Sequence, residues 1–175
     1  MGRMVALLRA VNVGGRKLPM AELRALLGEL GWADVATYIQ SGNVVFAAKG
    51  KPAAIEAELE KAIARRFGLD VPVVVRTAAE WAAYPPTNPF SKEPPNRVML
   101  LVSKAPPAEG AEGIIQARAV AGEQVRRAGD ALWFHYPDGA GTSKLTPALI
   151  DRAVGSPATA RNFNTVLKLR EMLDA

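Results

Sequence analysis

The chain has no cysteine and a single histidine, His135, among its 175 residues. Disulfides, thiolate zinc sites, cysteine nucleophiles and histidine-cluster metal centres are therefore excluded within one chain. Apolar runs are short: none approaches the roughly 20 residues that a membrane-spanning helix requires, and no basic head followed by an apolar stretch opens the sequence. These absences set the expectation of a cytoplasmic protein with no metal, no cofactor and no membrane contact. Aromatic residues make up only 6% of the chain, and Trp32, Trp81 and Trp133 are scattered, so they form no ladder on which nucleic-acid bases would stack. Acids number 17 against 22 Lys and Arg, a net charge of +5 that admits nucleic acid as a partner but is modest beside dedicated binders. The hydrophobic share of 49% is enough to bury one good core or two small ones.

The positive charge is local. Residues 1–20 hold four Arg or Lys and no acid, and residues 140–170 hold five against Asp151, so these two stretches carry +8 and the remainder of the chain is net acidic. The first also holds Asn12 and three glycines, and the second a series of hydroxyls with Asn162 and Asn164, groups that donate hydrogen bonds and attract anions. No combination of residues spells a reaction, so enzymatic activity is left open.

Periodicity predicts a strand over 4–11, a helix beginning near Pro19 with an apolar face of Met20, Leu23, Leu26, Leu27 and Leu30, and a stop at Gly31. A hairpin follows, 35–40 and 43–47 around Ser41-Gly42, then a helix marked by Ile55, Leu59, Ile63 and Phe67, and a strand over 71–77 whose Pro72 suits a sheet edge. This order, βαββαβ, is the ferredoxin-like split unit. A proline-rich stretch, 78–96, then reads as a connector. The second half repeats βαββα: a strand over 98–102, a helix over 107–120, a hairpin turning at Gly129-Asp130, and a helix over 147–154 capped by Thr146. There a further helix near 163–173 is expected in place of the last strand. The fold class expected is thus α+β, with two ferredoxin-like subdomains at 1–77 and 97–175 and antiparallel sheets. Strands apolar at odd and even positions predict sheets covered on both faces.

Four segments carry a resemblance: Leu7 to Gly15, Tyr38 to Phe46, Ser143 to Thr146, and Ala158 to Val166. They resemble a bacterial domain-of-unknown-function family, numbered sixteen ninety-seven, whose members read LLRGINVGG, TYIQSGNVVF, SKLT and PATTRNWNT at these places. Ala10, Val11 and Phe163 depart from that pattern. The resemblance implies an α+β protein with ferredoxin-like subdomains and supplies no activity, cofactor or catalytic residue.

The candidate ligand contacts come from the polar segments. Asn12, Gly14, Gly15 and Lys17 lie in a strand-to-helix loop whose glycines either turn backbone N–H groups toward an anion or simply make a tight turn. Arg9, read as part of an apolar strand, requires a carboxylate or a ligand anion if buried. Gln40, Ser41 and Asn43 serve either as a hairpin turn or as binding amides. Ser143 and Lys144 form a loop ahead of the Thr146 cap, and a serine-lysine catalytic pair is disfavoured because adjacent side chains diverge. Arg161, Asn162 and Asn164 fall at the start of the last helix, where capping explains the amides but not a cation. His135 is read as packing or hydrogen-bonded. The leading expectation is a protein that binds a small phosphate- or carboxylate-bearing ligand, nucleotides included, in a basic site between the subdomains, with Arg161→Ala removing binding without unfolding. Nucleic-acid binding, an enzyme of unknown reaction and a structural interaction module are the alternatives, and the oligomeric state is open.

Overall fold

The structure, a computed structural model describing residues 1–175, divides into two compact units: Met1–Ala82 with Leu169–Ala175, and Ala83–Lys168. The first unit runs β1 (Gly2–Leu8), α1 (Met20–Glu29), β2 (Ala33–Tyr38), β3 (Asn43–Ala48), α2 (Pro52–Phe67), β4 (Val73–Thr77) and α3 (Ala78–Ala83). The second runs β5 (Val98–Ser103), α4 (Ala111–Gln116), β6 (Gln124–Ala128), β7 (Ala131–His135), α5 (Pro147–Val154) and β8 (Ala158–Asn162), followed by α6 (Phe163–Asp174), whose last residues group with the first unit. The sheets have orders β2-β3-β1-β4 and β6-β7-β5-β8 and are antiparallel throughout. Both units are ferredoxin-like, as the sequence predicts.

Even-numbered β1 residues Met4, Ala6 and Leu8 join Val44, Phe46, Val73 and Val75 in a core with the apolar faces of α1 and α2. Val5, Leu7, Val45 and Val74, which alternate with them, are buried as well, which is what strands apolar on both faces require. In the second unit Leu101, Val125, Leu132, Phe134 and Ala158 pack with Ile115 of α4 and Ile150 of α5. Helix ends fall where sequence chemistry puts them. Gly31, Gly68 and Gly155 take positive φ beyond α1, α2 and α5, and the Thr146 hydroxyl accepts from Leu149 N at 3.3 Å.

An edge strand exposes a row of unpaired backbone groups, and helical side chains cover such rows here. Glu60 and Glu56 of α2 accept the N–H groups of Val73 and Val75 on edge strand β4, both at 2.9 Å. Gln116 of α4 does the same for edge strand β6, accepting from Val125 N and donating to Glu123 O, both at 2.8 Å.

Four expectations are corrected. The second unit does have its fourth strand: β8 pairs with β5 in the register Leu100↔Arg161 and Leu101↔Ala160. The proline-rich stretch is not a free connector. Its start forms α3, in which Thr77 Oγ1 accepts from Glu80 N at 3.2 Å and Trp81 is fully buried, and Tyr84 and Phe90 are buried in the second unit. The Tyr84 hydroxyl there donates to Asp130 at 3.3 Å. The chain's last residues belong with the first unit, where Arg3 donates to the carbonyls of Leu173 (2.9 Å) and Met172 (2.7 Å). The helix expected over 107–120 is confined to α4, because Pro107 and the left-handed Gly110 delay its start.

The corrected second unit shows the same terminal device as the first. Arg76 and Arg161 are each the fourth residue of the last strand, each is buried, and each donates to the preceding carbonyl at 2.9 Å. The residue after each, Thr77 or Asn162, caps the helix that follows.

Candidate functional site

In the first unit the loop after β1 is built on backbone that ordinary residues avoid. Ala10, Asn12, Gly14 and Gly15 all have positive φ, and glycine supplies that conformation without a Cβ penalty at two of the four. Asn12 holds the loop together: its carboxamide donates to Leu18 O (3.1 Å) and Gln40 O (2.6 Å) and accepts from Leu18 N (2.9 Å). Asparagine fits because it tolerates left-handed backbone while replacing main-chain hydrogen bonds. Leu8 N donates to Gly42 O at 2.8 Å and Arg9 N to Pro72 O at 3.0 Å, so the loop is tied to both the β2–β3 turn and the start of β4. Within the loop, Arg16 N donates back to Val13 O, while the N–H groups of Val13, Gly14 and Gly15 have no partner in the chain.

The result is a concave surface of about 530 Å³ lined by Asn12, Gly15, Arg16, Lys17, Pro19 and Gln40. Lys17 is exposed and its ammonium has no carboxylate partner. Arg16 also lines it, with its guanidinium donating to the Asp70 carbonyl. Four residues singled out from sequence, Asn12, Gly15, Lys17 and Gln40, are therefore brought together, and Gly14 adjoins them. Arg16 joins them from the same loop, a contact that its cationic character alone does not single out in the sequence.

The other candidates have different surroundings. Arg9 follows the end of β1 and is partly exposed rather than inside the strand. Asn43 is fully buried and donates to Tyr38 O (3.1 Å) and Ser41 Oγ (2.9 Å), which makes it the staple of the hairpin turn. Arg161 lies on β8, not at a helix start. It donates to Thr159 Oγ1 at 2.7 Å, and burial lowers its pKa to about 10, which leaves it charged at neutral pH. Asn162 Oδ1 caps α6 by accepting from Thr165 N at 3.0 Å. Asn164 and Lys144 are exposed. His135 packs on Phe90, ring centroids 5.7 Å apart, with Nε2 3.5 Å from Glu93.

Ser143 donates to Glu123 at 3.0 Å and accepts from Leu145 N at 3.1 Å, anchoring the loop before α5 to the start of β6. Glu123, only 3% exposed, also accepts from Ala121 N at 2.6 Å. Burial opposes its ionisation, but its own backbone N–H, the Ser143 hydroxyl and the N–H groups of Ala121 and Val120 outweigh that, and its pKa falls below the ordinary value. A carboxyl whose folded pKa is depressed stabilises the fold above its unfolded pKa, and that contribution is lost as pH falls through the folded value. Wild type is therefore expected to lose more stability than Glu123→Gln when urea midpoints are compared at about pH 6 and about pH 3. Equal acid losses in the two proteins would refute this role for Glu123.

The family model described as "Protein of unknown function (DUF1697)" matches residues 1–133, and the chain belongs to this family. It is similar to a solved structure described as "conserved bacterial protein SP0830 from Streptococcus pneumoniae". The two are 25% identical with a TM-score of 0.75, and the alignment covers 98% of each chain. No curated protein matches the chain. No helix is long and apolar enough to cross a membrane.

Proposed function

We propose that this protein binds a small phosphate- or carboxylate-bearing ligand, nucleotides included, at the loop pocket of its first unit. The observation that supports the reading is the set of unpartnered N–H groups at Val13, Gly14 and Gly15 beside the free ammonium of Lys17. Successive main-chain donors in left-handed turns form anion-binding concavities, and a cation beside them adds attraction without needing a fixed geometry. Asn12 acts as the positioning residue that holds this backbone in place.

Titration of the full chain with inorganic phosphate and with adenosine monophosphate, followed by amide NMR shifts, tests the reading. Lys17→Ala is expected to weaken binding about tenfold, while Arg65→Ala on the exposed face of α2 changes nothing. A small-ligand site also responds only shallowly to salt. Tight binding to generic duplex DNA, with a log-log salt slope near −0.9 per phosphate contact, would instead favour the nucleic-acid alternative. Shifts that bypass residues 12–19 and 40 altogether would remove the pocket from consideration.

A further inference from the structure

The second unit carries a groove between α4 and α5 that the anion-binding reading does not use. Ile114, Ala117, Leu149, Ala148 and Ala153 supply apolar walls to a cavity of about 710 Å³, with Arg118 and Arg152 among its lining residues. Alanines at 117, 148 and 153 leave open the space that larger side chains would fill. Ile114 stands 57% exposed. Neither guanidinium makes an ion pair or a side-chain hydrogen bond, and no acidic residue lines the groove. A cation at the end of a short helix suits the helix dipole. The dipole does not explain why two unpaired arginines share one apolar groove.

We infer that this groove binds a single-chain alkyl carboxylate, its chain against the alanine and leucine walls and its headgroup on Arg118 and Arg152. Charge complementarity sets the headgroup, because guanidinium presents paired donors that match the two oxygens of a carboxylate. Size sets the body. The volume falls in the range of small-molecule sites, about 300–1,000 Å³. Helices of six and eight residues run only about 9 and 12 Å at 1.5 Å per residue, too short a trough for a docked helix of several turns. Transfer of the chain out of water supplies the affinity and the arginines supply selectivity.

Decanoate and decanol, kept below the concentration at which they self-associate, are titrated into the full-length chain and followed by calorimetry and amide NMR. Decanoate is expected to bind with shifts at 114–118 and 146–153, about tenfold more tightly than decanol. Arg118→Gln with Arg152→Gln should remove that preference while leaving the circular dichroism spectrum unchanged, and Ala148→Trp, which fills the groove, should abolish binding of both probes. Lys17→Ala should leave the decanoate shifts at 114–118 and 146–153 unchanged, which separates this site from the loop pocket. The inference is overturned if neither probe binds, if decanol binds as well as decanoate, or if the double glutamine variant retains the preference. Shifts produced only by an acidic amphipathic peptide, with none from decanoate, would also overturn it.

Discussion

Gly42→Ala is expected to destabilise the protein by about 2–5 kcal/mol, from about 1–2 for left-handed backbone and about 1–3 for overpacking. Gly42 has φ +83°, and an added Cβ would lie 2.7 Å from Val11 Cγ2 and 2.8 Å from Leu8 Cβ. Neither neighbour can yield easily: both are buried, and Leu8 ends the central strand of the first sheet. Against a typical domain stability of about 5–15 kcal/mol the loss is large. Gly129→Ala is the control, because Gly129 also has positive φ (+59°) but open space around its Cβ position. Urea midpoints should place Gly42→Ala well below Gly129→Ala. Equal midpoints would show that the close approach of the hairpin turn to β1 does not constrain the fold.

Arg161→Ala should cost about 2–4 kcal/mol, through lost packing and abandoned hydrogen-bond partners. The side chain is buried, its guanidinium donates to Thr159 Oγ1 and Ala160 O, and its strand pairs with the central strand of the second sheet. This reverses the expectation from sequence that truncating Arg161 leaves the fold intact. Arg161→Met preserves the stem's volume and removes only the charged end, so it should cost less than Arg161→Ala in the same denaturation series. If Arg161→Ala denatures at the wild-type midpoint, the residue is not structural, and a ligand-facing role returns.

Most strands and helices could be read from periodicity because their apolar residues repeat at 2.0 or 3.6 and their ends carry glycine or a capping threonine. Strand β8 was hidden. In Ala158-Thr159-Ala160-Arg161-Asn162 only Thr159 favours a strand, and pairing with Met99 to Ser103 of β5 fixes the conformation. Helix α3 was hidden for a related reason: six residues ahead of a proline cluster look like loop until the Thr77 cap and the buried Trp81 are seen. The site was legible as a place more than as a set of roles. Glycines and cations marked the 12–17 loop, but sequence does not distinguish a carboxamide that serves the chain from one that faces outward. Asn12, Asn43 and Asn162 prove to serve the chain, whereas Lys17 faces outward.

The strand, buried arginine, cap and helix that close both units make the chain an internal repeat, yet the repeat is not carried into the connections. Where the first unit places a glycine-rich basic loop between its first strand and first helix, the second places Lys104-Ala-Pro-Pro-Ala-Glu-Gly110, stiffened by two prolines and carrying an acid. Equivalent places in two similar frameworks thus carry loops that differ in charge and stiffness, and the two units are not chemically symmetric. For inorganic phosphate, the stoichiometry that follows from the proposed loop pocket is one per chain, not two.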